Sequence, residues 1–330
     1  MSEPILTPAA QATLLLCAQL KQSADAQPFT TGEYHKLVRR LGEHGYGVSD
    51  LLDGAQWSAL SATMGEVLWD GARIEQLLSR GPALALAQDC WAQSGLWVMS
   101  VADADYPEPW RWRLGTQAPP LIFGVGAPRL ARRDGYAIVG SRNADVASLE
   151  FAARLAERCA RQELAVISGG AKGIDNTAMT AAIEAGGWAT GILSEGLARA
   201  GVAANNREAL ERRSLLLLSP YSPDAPFHVG AAMGRNRLIY ALAQASFVIA
   251  SDARSGGTWA GAVETLKSKW SPLFVRAGAA TPPGNALLIS QGATRFPESD
   301  LTVDLELRSW CAAHSVAEKV DGGGQTHLPL

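Results

Sequence analysis

A strand, a glycine turn and a helix near the middle of the chain form a pattern that suits a phosphate. The stretch reads LAVISGGAKGID and runs from Leu164 to Asp175. Its turn carries Ser168, Gly169, Gly170 and Lys172. Glycines let backbone come close to a ligand, the helix start near Ile174 leaves N–H groups unpaired, and the lysine adds a positive charge. The alternative is a tight bend without a ligand, in which Asp175 only caps the helix.

The spacing of reactive residues excludes several common kinds of site. The turn is neither a Walker loop nor the G-x-G-x-x-G of dinucleotide folds. The five histidines have no metal-ligand spacing, the four cysteines lie far apart without a C-x-x-C pair, and no G-x-S-x-G elbow occurs. We therefore predict no metal site, no cofactor and no disulfide framework.

Further polar and glycine residues follow other apolar runs and extend this candidate anion site. They are Ser141 and Arg142 after the first run, Arg235, Asn236 and Arg237 at a predicted helix start, and Ser255 and Gly256 after a later run. Ligands of open parallel sheets bind at the carboxyl ends of the strands. We therefore expect these residues to form one positive rim at one edge of a sheet.

Alternating strand and helix patterns from Tyr136 onward predict the sheet that positions these turns. The predicted strands are Tyr136–Val139, Leu164–Ile167, Trp188–Leu193, Leu215–Leu218, Phe247–Ala250 and Leu273–Val275. The predicted helices between them are Val146–Arg161, Ile174–Ala185, Asn205–Arg213, Asn236–Gln244 and Thr258–Lys269. Several strands are uninterrupted apolar runs, as in sheets covered on both faces. The predicted fold class is α/β, a doubly wound and mostly parallel Rossmann-like sheet preceded by a small helical domain.

Composition and pattern divide the chain into four parts. We predict a small helical domain at 1–95, a connector packing on the core at 96–126, a Rossmann-like domain at 127–300 and a short, partly disordered tail at 301–330. The connector contains Trp110-Arg111-Trp112-Arg113. This cluster interleaves aromatic and basic side chains as single-strand binders do, and an amphipathic edge explains it equally well.

Charge is spread unevenly along a chain whose net charge is -3. Residues 1–120 hold 8 Lys+Arg against 13 Asp+Glu (net -5), whereas residues 121–300 hold 19 against 15 (net +4). A polyanion would therefore bind the middle segment. No apolar stretch is long enough to span a bilayer and the start lacks the positive region of a secretory signal, so we predict a cytoplasmic protein without a membrane partner.

Taken together, the motifs resemble those of the DNA-processing DprA (Smf) family. In chain order the matching motifs are Asp105-Tyr106-Pro107, Pro119-Pro120-Leu121, Gly140-Ser141-Arg142, the turn from Ser168 to Asp175, Arg235-Asn236-Arg237, Ser255-Gly256-Gly257, Gly284-Asn285 and Gly292-Ala293. Each motif alone is unspecific. Their order and spacing, from Asp105 to Ala293, carry the resemblance.

The resemblance implies a Rossmann-like domain that binds single-stranded DNA in a positive pocket, after a SAM-like helical domain. It implies a homodimer that loads a RecA-type recombinase during natural transformation, without chemistry on the DNA. Carried over by motif, the residues around a phosphate would be Arg142, Ser168, Gly169, Lys172, Asn236 and Arg237. Arginine suits bidentate phosphate contacts and lysine a point-charge contact.

Three departures from the family pattern affect these expectations. Met179 stands where the family usually has His, and Gly170 stands where it usually has Leu. The 30 residues after Asp300 are too few for the C-terminal winged helix that most members carry. We therefore expect a divergent relative, whose role in competence or in phage defence stays open.

Two alternatives use the same pocket. The sequence is also similar to nucleotide hydrolases of the LOG type, in which Glu264 after Gly256-Gly257-Thr258 would stabilise an oxocarbenium-like ribosyl centre. The turn lacks the middle Gly-Thr pair of those enzymes, and Glu264 on a helix also suits a solvated side chain. A sensor of a small nucleotide would differ from a DNA binder only in the length of its ligand.

Overall fold

The computed structural model of the 330-residue chain describes residues 6–20, 27–64, 70–198 and 203–315. The chain divides into two compact units. Among the described residues, the first unit holds the chain up to Tyr106 together with Leu114–Phe123, and the second holds Pro107–Arg113 and the chain from Gly124 onward. The predicted boundaries near residues 95 and 126 stay predictions.

The first unit is mainly helical. Its helices are α1 (Pro8–Cys17), α2 (Thr31–Glu43), α3 (Gly54–Met64), α4 (Gly71–Leu78) and α5 (Gly81–Gln93), followed by strand β1 (Leu96–Ser100) and the beginning of β2 (Leu121–Gly126). Its core includes a cluster of buried leucines and alanine, namely Leu14, Leu15, Ala18, Leu20, Leu84 and Leu121. Packing of apolar side chains from α1 and the residues after it against α5 and β2 therefore forms part of the core of this unit.

The second unit alternates strands and helices. Its strands are β3 (Gly135–Gly140), β4 (Ala165–Ser168), β5 (Ala189–Ile192), β6 (Leu215–Ser219), β7 (Ala245–Ala250), β8 (Leu273–Ala277) and β9 (Thr294–Pro297). Its helices are α6 (Glu108–Leu114), α7 (Val146–Arg161), α8 (Ile174–Glu184), α9 (Ala204–Glu211), α10 (Val229–Leu242), α11 (Gly256–Ser268), α12 (Pro283–Ser290) and α13 (Leu307–His314).

Seven strands of the second unit form a parallel sheet in the order β6-β5-β4-β3-β7-β8-β9. The chain moves outward from β3 to β6 on one side and then returns to add β7 on the other. This reversal makes the β3/β7 pair the topological switch point, where ligands of such sheets bind. The predicted α/β class with a doubly wound, mostly parallel sheet is confirmed.

Burial on both faces explains why the strands are apolar throughout. All residues of β4, β5, β6, β7 and β8 are buried. On β7, Phe247 packs at 5.2 Å between ring centroids against both Phe274 and Phe296, and Trp310 of α13 lies 4.6 Å from Phe296. The helix predicted near Leu305–Ala317 corresponds to α13. The end of the tail, from residue 316, lies outside the described residues.

Four elements of the second unit differ from the prediction, since helices α6 and α12 and strand β9 were not predicted and α10 begins earlier than predicted. β9 was missed because Thr294–Pro297 is short and half polar, and only its pairing with β8 makes it a strand. The predicted start of α10 at Asn236 is wrong, since the helix begins at Val229 behind the cap residue His228. Gly230 and Gly234 disfavour a helix in isolation, so local propensity hid its first turns.

Candidate functional site

A buried carboxylate ties together the loops that follow β3 and β4. Asp175, in the first turn of α8, accepts hydrogen bonds from Gly140 N at 3.3 Å on Oδ1 and from Gly169 N at 3.2 Å on Oδ2. It is therefore not the simple helix cap of the alternative interpretation, because the cap position belongs to Gly173. Its side chain reaches back to the carboxyl ends of two neighbouring strands.

Arg235 of α10 lies against this carboxylate and is only 4% exposed. A Cβ atom on Gly169 would collide with the Arg235 guanidinium, so the turn needs glycine there to admit it. Burial raises the pKa of Asp175, and the positive charge of Arg235 opposes that rise. Burial likewise lowers the pKa of Arg235, and Asp175 opposes that change. Within the described residues, Arg235 Nε has no hydrogen-bond partner.

Gly173 fixes the path of the turn between β4 and α8. Its φ of +90° and ψ of -135° lie in a region that only glycine occupies readily. A Cβ atom there would also lie 2.5 Å from Ser141 O and 2.8 Å from Arg142 O. The loop after β3 and the loop after β4 therefore pack directly against each other.

The first amides of α8 are less open than the sequence predicts. Ile174 N donates to Ser141 O at 3.4 Å, and Asn176 N donates to Ala171 O at 3.0 Å. These two N–H groups already have protein partners, one in the loop after β3 and one in the turn that leads into α8. The expectation that they await a phosphate is wrong, and any anion contact here falls to side chains and to the outer turn.

Two exposed cations stand at this edge, Lys172 on the turn after β4 and Arg142 on the loop after β3. Lys172 is exposed and lies between Gly170 and Gly173, both with positive φ. Arg142 is also exposed, and its charge is close enough to Arg235 to oppose protonation of that guanidinium, lowering the Arg235 pKa. The structure thus brings Arg142, Lys172 and Arg235 to one edge of the sheet, with the first two open to solvent.

An aromatic ring adjoins Arg142. The guanidinium carbon of Arg142 lies 5.6 Å from the centroid of Phe227, which is 44% exposed. Phe227 comes just before His228, the cap of α10. An exposed ring beside an exposed arginine offers a flat apolar face and a positive charge together.

Helix α10 connects the loops on both sides of β3. Asn236 Nδ2 donates to Gly257 O at 2.9 Å in the first turn of α11, while the neighbouring Arg235 reaches the β4 turn. Arg237 is half-buried and its Nε donates to Gly234 O at 2.9 Å. Asn236 and Arg237 therefore hold protein backbone in this structure, so a direct phosphate contact by either stays a prediction.

The other predicted site residues take different positions. Ser168 is fully buried and its hydroxyl donates to Ile138 O at 2.6 Å, so it links β4 to β3 inside the sheet. Ser141 Oγ accepts from Asn143 N at 3.2 Å and shapes the loop after β3. Ser255 and Gly256 are exposed at the start of α11, where the Ser255 side chain makes no capping hydrogen bond. Their predicted binding roles stay predictions.

Glu264, the acid of the hydrolase alternative, is exposed in the third turn of α11. Its carboxylate makes no hydrogen bond or ion pair with the described part of the chain. Across the same residues, no group of three His, Cys, Asp or Glu side chains could hold a metal ion. None of the described helices has the length and apolar character needed to cross a membrane.

Comparison with known proteins identifies the family. The family model described as DNA recombination-mediator protein A matches residues 97–305, which is more than half of the chain. The chain belongs to this family. The match covers the sheet of the second unit and the loops around Asp175, so the DprA-like resemblance of the sequence is confirmed.

Curated relatives of the family share about 30% of their residues with this chain. A putative DNA processing protein DprA of Mycobacterium tuberculosis is 31% identical over 188 residues, covering 56% of this chain and 46% of that protein. Protein Smf of Synechocystis is 27% identical over 231 residues, covering 67% of this chain and 56% of that protein. The chain thus spans about half the length of the curated relatives it matches.

Two solved structures share the family fold. DNA processing protein A from Streptococcus pneumoniae matches with a TM-score of 0.65 at 21% identity, covering 92% of this chain and 99% of that one. DNA processing protein A from Helicobacter pylori, whose single-stranded DNA binding mode was studied, matches with a TM-score of 0.53 at 23% identity. This match covers 67% of this chain and 96% of that one. At these identities the likeness establishes the fold.

Sequence reasoning missed two residues that shape the candidate site of this family member. Asp175 was given a role of its own only as the helix cap of the alternative interpretation, and its burial and its bonds to Gly140 N and Gly169 N show the connection it makes. Phe227 carries no motif of its own, since a single Phe before a helix is common. Its position against Arg142 follows from the tertiary fold.

Proposed function

We propose that this chain binds single-stranded DNA as a recombination mediator. The DNA binds at the edge of the sheet formed by the carboxyl ends of the β-strands, beside β3. The observation that carries the proposal is the grouping of exposed Arg142 and Lys172 around the buried Asp175–Arg235 pair, with the Phe227 ring against Arg142. Cations that position a backbone and a ring that stacks on a base are the two parts of a single-strand site.

Phosphate contacts fall to the exposed cations of this site. Arg142 offers a planar fork that fits two phosphate oxygens, and Lys172 offers a mobile point charge on a turn. Arg235 is buried beside Asp175, so its role is to hold the Gly169 turn in place. Because phosphates carry no base identity, this arrangement predicts binding without strong sequence preference.

The Phe227 ring favours a single strand over a duplex. A base can stack on its exposed face only when that base is unpaired and turned out of the helix. Arg142, on the same ring, would hold the adjacent phosphate. Phe227 and Arg142 would therefore contact the base and the phosphate of one nucleotide in a flexible single strand of DNA.

The family membership and the fold of the Streptococcus and Helicobacter proteins support this proposal. We infer further that the chain acts on a RecA-type recombinase and pairs as a homodimer, as the DprA resemblance implies, with natural transformation as its setting. The hydrolase alternative gains no support from Glu264, which is solvent-exposed and makes no ion pair with the described part of the chain.

Replacing Phe227 with Ala is expected to weaken binding of a single-stranded oligonucleotide by about tenfold, because one stacked base contributes roughly 1–3 kcal/mol. Phe227→Tyr keeps the ring and should bind like the wild type. The measurement is fluorescence anisotropy with labelled single-stranded and duplex DNA. Equal loss of affinity for both DNA forms, or no loss for either, would contradict base stacking at Phe227.

A further inference from the structure

The amino edge of the sheet, opposite the proposed phosphate site, carries two stacked pairs of arginine and tryptophan. The guanidinium carbon of Arg113 lies 4.9 Å from the ring centroid of Trp112. That of Arg133 lies 3.3 Å from the ring centroid of Trp188. Neither pair takes part in the site around Asp175.

The first pair is held rigidly by the end of α10. Trp110 Nε1 donates to Leu238 O at 2.8 Å, and Arg113 Nη1 donates to Ala241 O at 3.0 Å and to Ala243 O at 2.6 Å. These bonds fix α6 on the last turn of α10. Trp112, between the two anchoring residues, is 60% exposed, so its ring is presented to solvent by a fixed support.

The second pair is held by the start of β4. Arg133 Nη2 donates to Glu163 O at 3.3 Å, just before β4, while its guanidinium covers one face of the Trp188 ring ahead of β5. Trp188 is half-buried. Arg133 thus connects the amino ends of β3, β4 and β5.

The two pairs are neighbours across the switch point. Ala243, which accepts from Arg113, is followed by Gln244, whose N donates to Gly135 O at 2.9 Å at the start of β3. Arg133 comes two residues before Gly135. Because paired strands lie about 4.8 Å apart, Arg113 and Arg133 fall near the ends of two adjacent strands, β7 and β3.

The charge around this edge favours an anion. Exposed Arg129 lies on a short helix, Pro128–Arg132, that packs against β6, and exposed Arg213 comes just before the start of β6. Among the acids of these segments, Asp134 forms an ion pair with Arg308 at 2.9 Å, and Glu163 and Glu211 are exposed. Arginine and tryptophan side chains therefore occur together in the segments that precede these strands.

We propose that the amino edge, with Trp112 as its exposed stacking face, is a second contact for the same single strand of DNA. This inference rests on the proposed function. The interleaved tryptophans and arginines match the way single-strand binders combine base stacking with backbone attraction. DNA bound at both edges must pass along the β-strands of the sheet. These have four to six residues and are therefore about 13–20 Å long at 3.3 Å per residue. An oligonucleotide of about three nucleotides, about 10 Å long at 3.4 Å per nucleotide, is too short to do so.

The test compares a short oligonucleotide of about three nucleotides with one of about thirty, which lie below and above common single-strand site sizes. Trp112→Ala is expected to weaken binding of the long strand about tenfold and to leave the short strand unchanged. Trp112→Phe keeps an aromatic face and should restore the binding of the long strand. Because Trp112 is mostly exposed, circular dichroism of the variants should match the wild type.

The outcomes separate this inference from the proposed function. If the short strand binds and Lys172→Ala weakens it, but the long strand binds no differently to Trp112→Ala, the second contact is overturned and the phosphate site stands. If neither strand binds, both are overturned. If Trp112→Ala instead leaves DNA binding intact and abolishes a protein contact, the edge is a protein interface and the DNA contact is wrong.

Discussion

Replacing Asp175 with Asn is expected to lower the free energy of unfolding by about 3 kcal/mol or more, the usual effect of removing one partner from a buried charged pair. The amide keeps the shape of the carboxylate but removes the negative charge beside Arg235. It also presents an NH₂ group to Gly140 N or Gly169 N, which now donate to the two carboxylate oxygens. Either orientation leaves a buried donor facing a donor.

Denaturant unfolding measures this loss, with Asn176→Ala as the matched control. Asn176 is the exposed neighbour of Asp175 on the same turn, so its variant should stay within about 0.5 kcal/mol of the wild type. Adding Arg235→Met to Asp175→Asn removes the unpaired positive charge and should recover part of the stability. An Asp175→Asn protein as stable as the control would show that the pair does not hold the turn.

Replacing Gly173 with Ala is expected to lower the free energy of unfolding by about 2–4 kcal/mol. The new residue must adopt a backbone conformation that costs about 1–3 kcal/mol outside glycine. Its Cβ atom also enters the space of Ser141 O and Arg142 O, which overpacks the contact between the two loops. The loop that carries Arg142 must then shift.

Gly186→Ala separates the two causes. Gly186 has a similar φ of +79°, but a Cβ atom there meets no other atom within 4 Å. Its variant should therefore lose only the conformational part, about 1–2 kcal/mol. Unfolding curves of both variants under identical conditions give the difference. Equal losses at Gly173 and Gly186 would mean that the loops do not pack as described.

Much of the fold follows from local pattern. Val146–Arg161 was predicted with the bounds that α7 has, because its apolar residues recur at helical spacing behind the cap residue Asp145. The strands of the sheet were predicted because burial on both faces makes them uninterrupted apolar runs. Pairing information was missing for β9, and glycines concealed the first turns of α10.

The candidate site was predicted less completely, for a physical reason. Residue type and spacing located the loops, since glycines and cations cluster after β3 and β4. They did not reveal which side chains face inward, and this is why Ser168 and Arg235 were placed beside solvent-exposed Lys172 although both are buried. The direction in which a side chain points depends on tertiary packing, and a single sequence does not reveal that packing.

The salt dependence of single-strand binding tests the central claim most directly. Removing one cation that binds a phosphate should reduce the magnitude of the slope of log K against log salt by about 0.7. With an oligonucleotide of about six nucleotides, Lys172→Ala should show this smaller slope, and Lys267→Ala, at the far end of α11 from the site, should keep the wild-type slope. If Lys172→Ala binds with the affinity and slope of Lys267→Ala, the strand does not lie at the carboxyl edge beside β3.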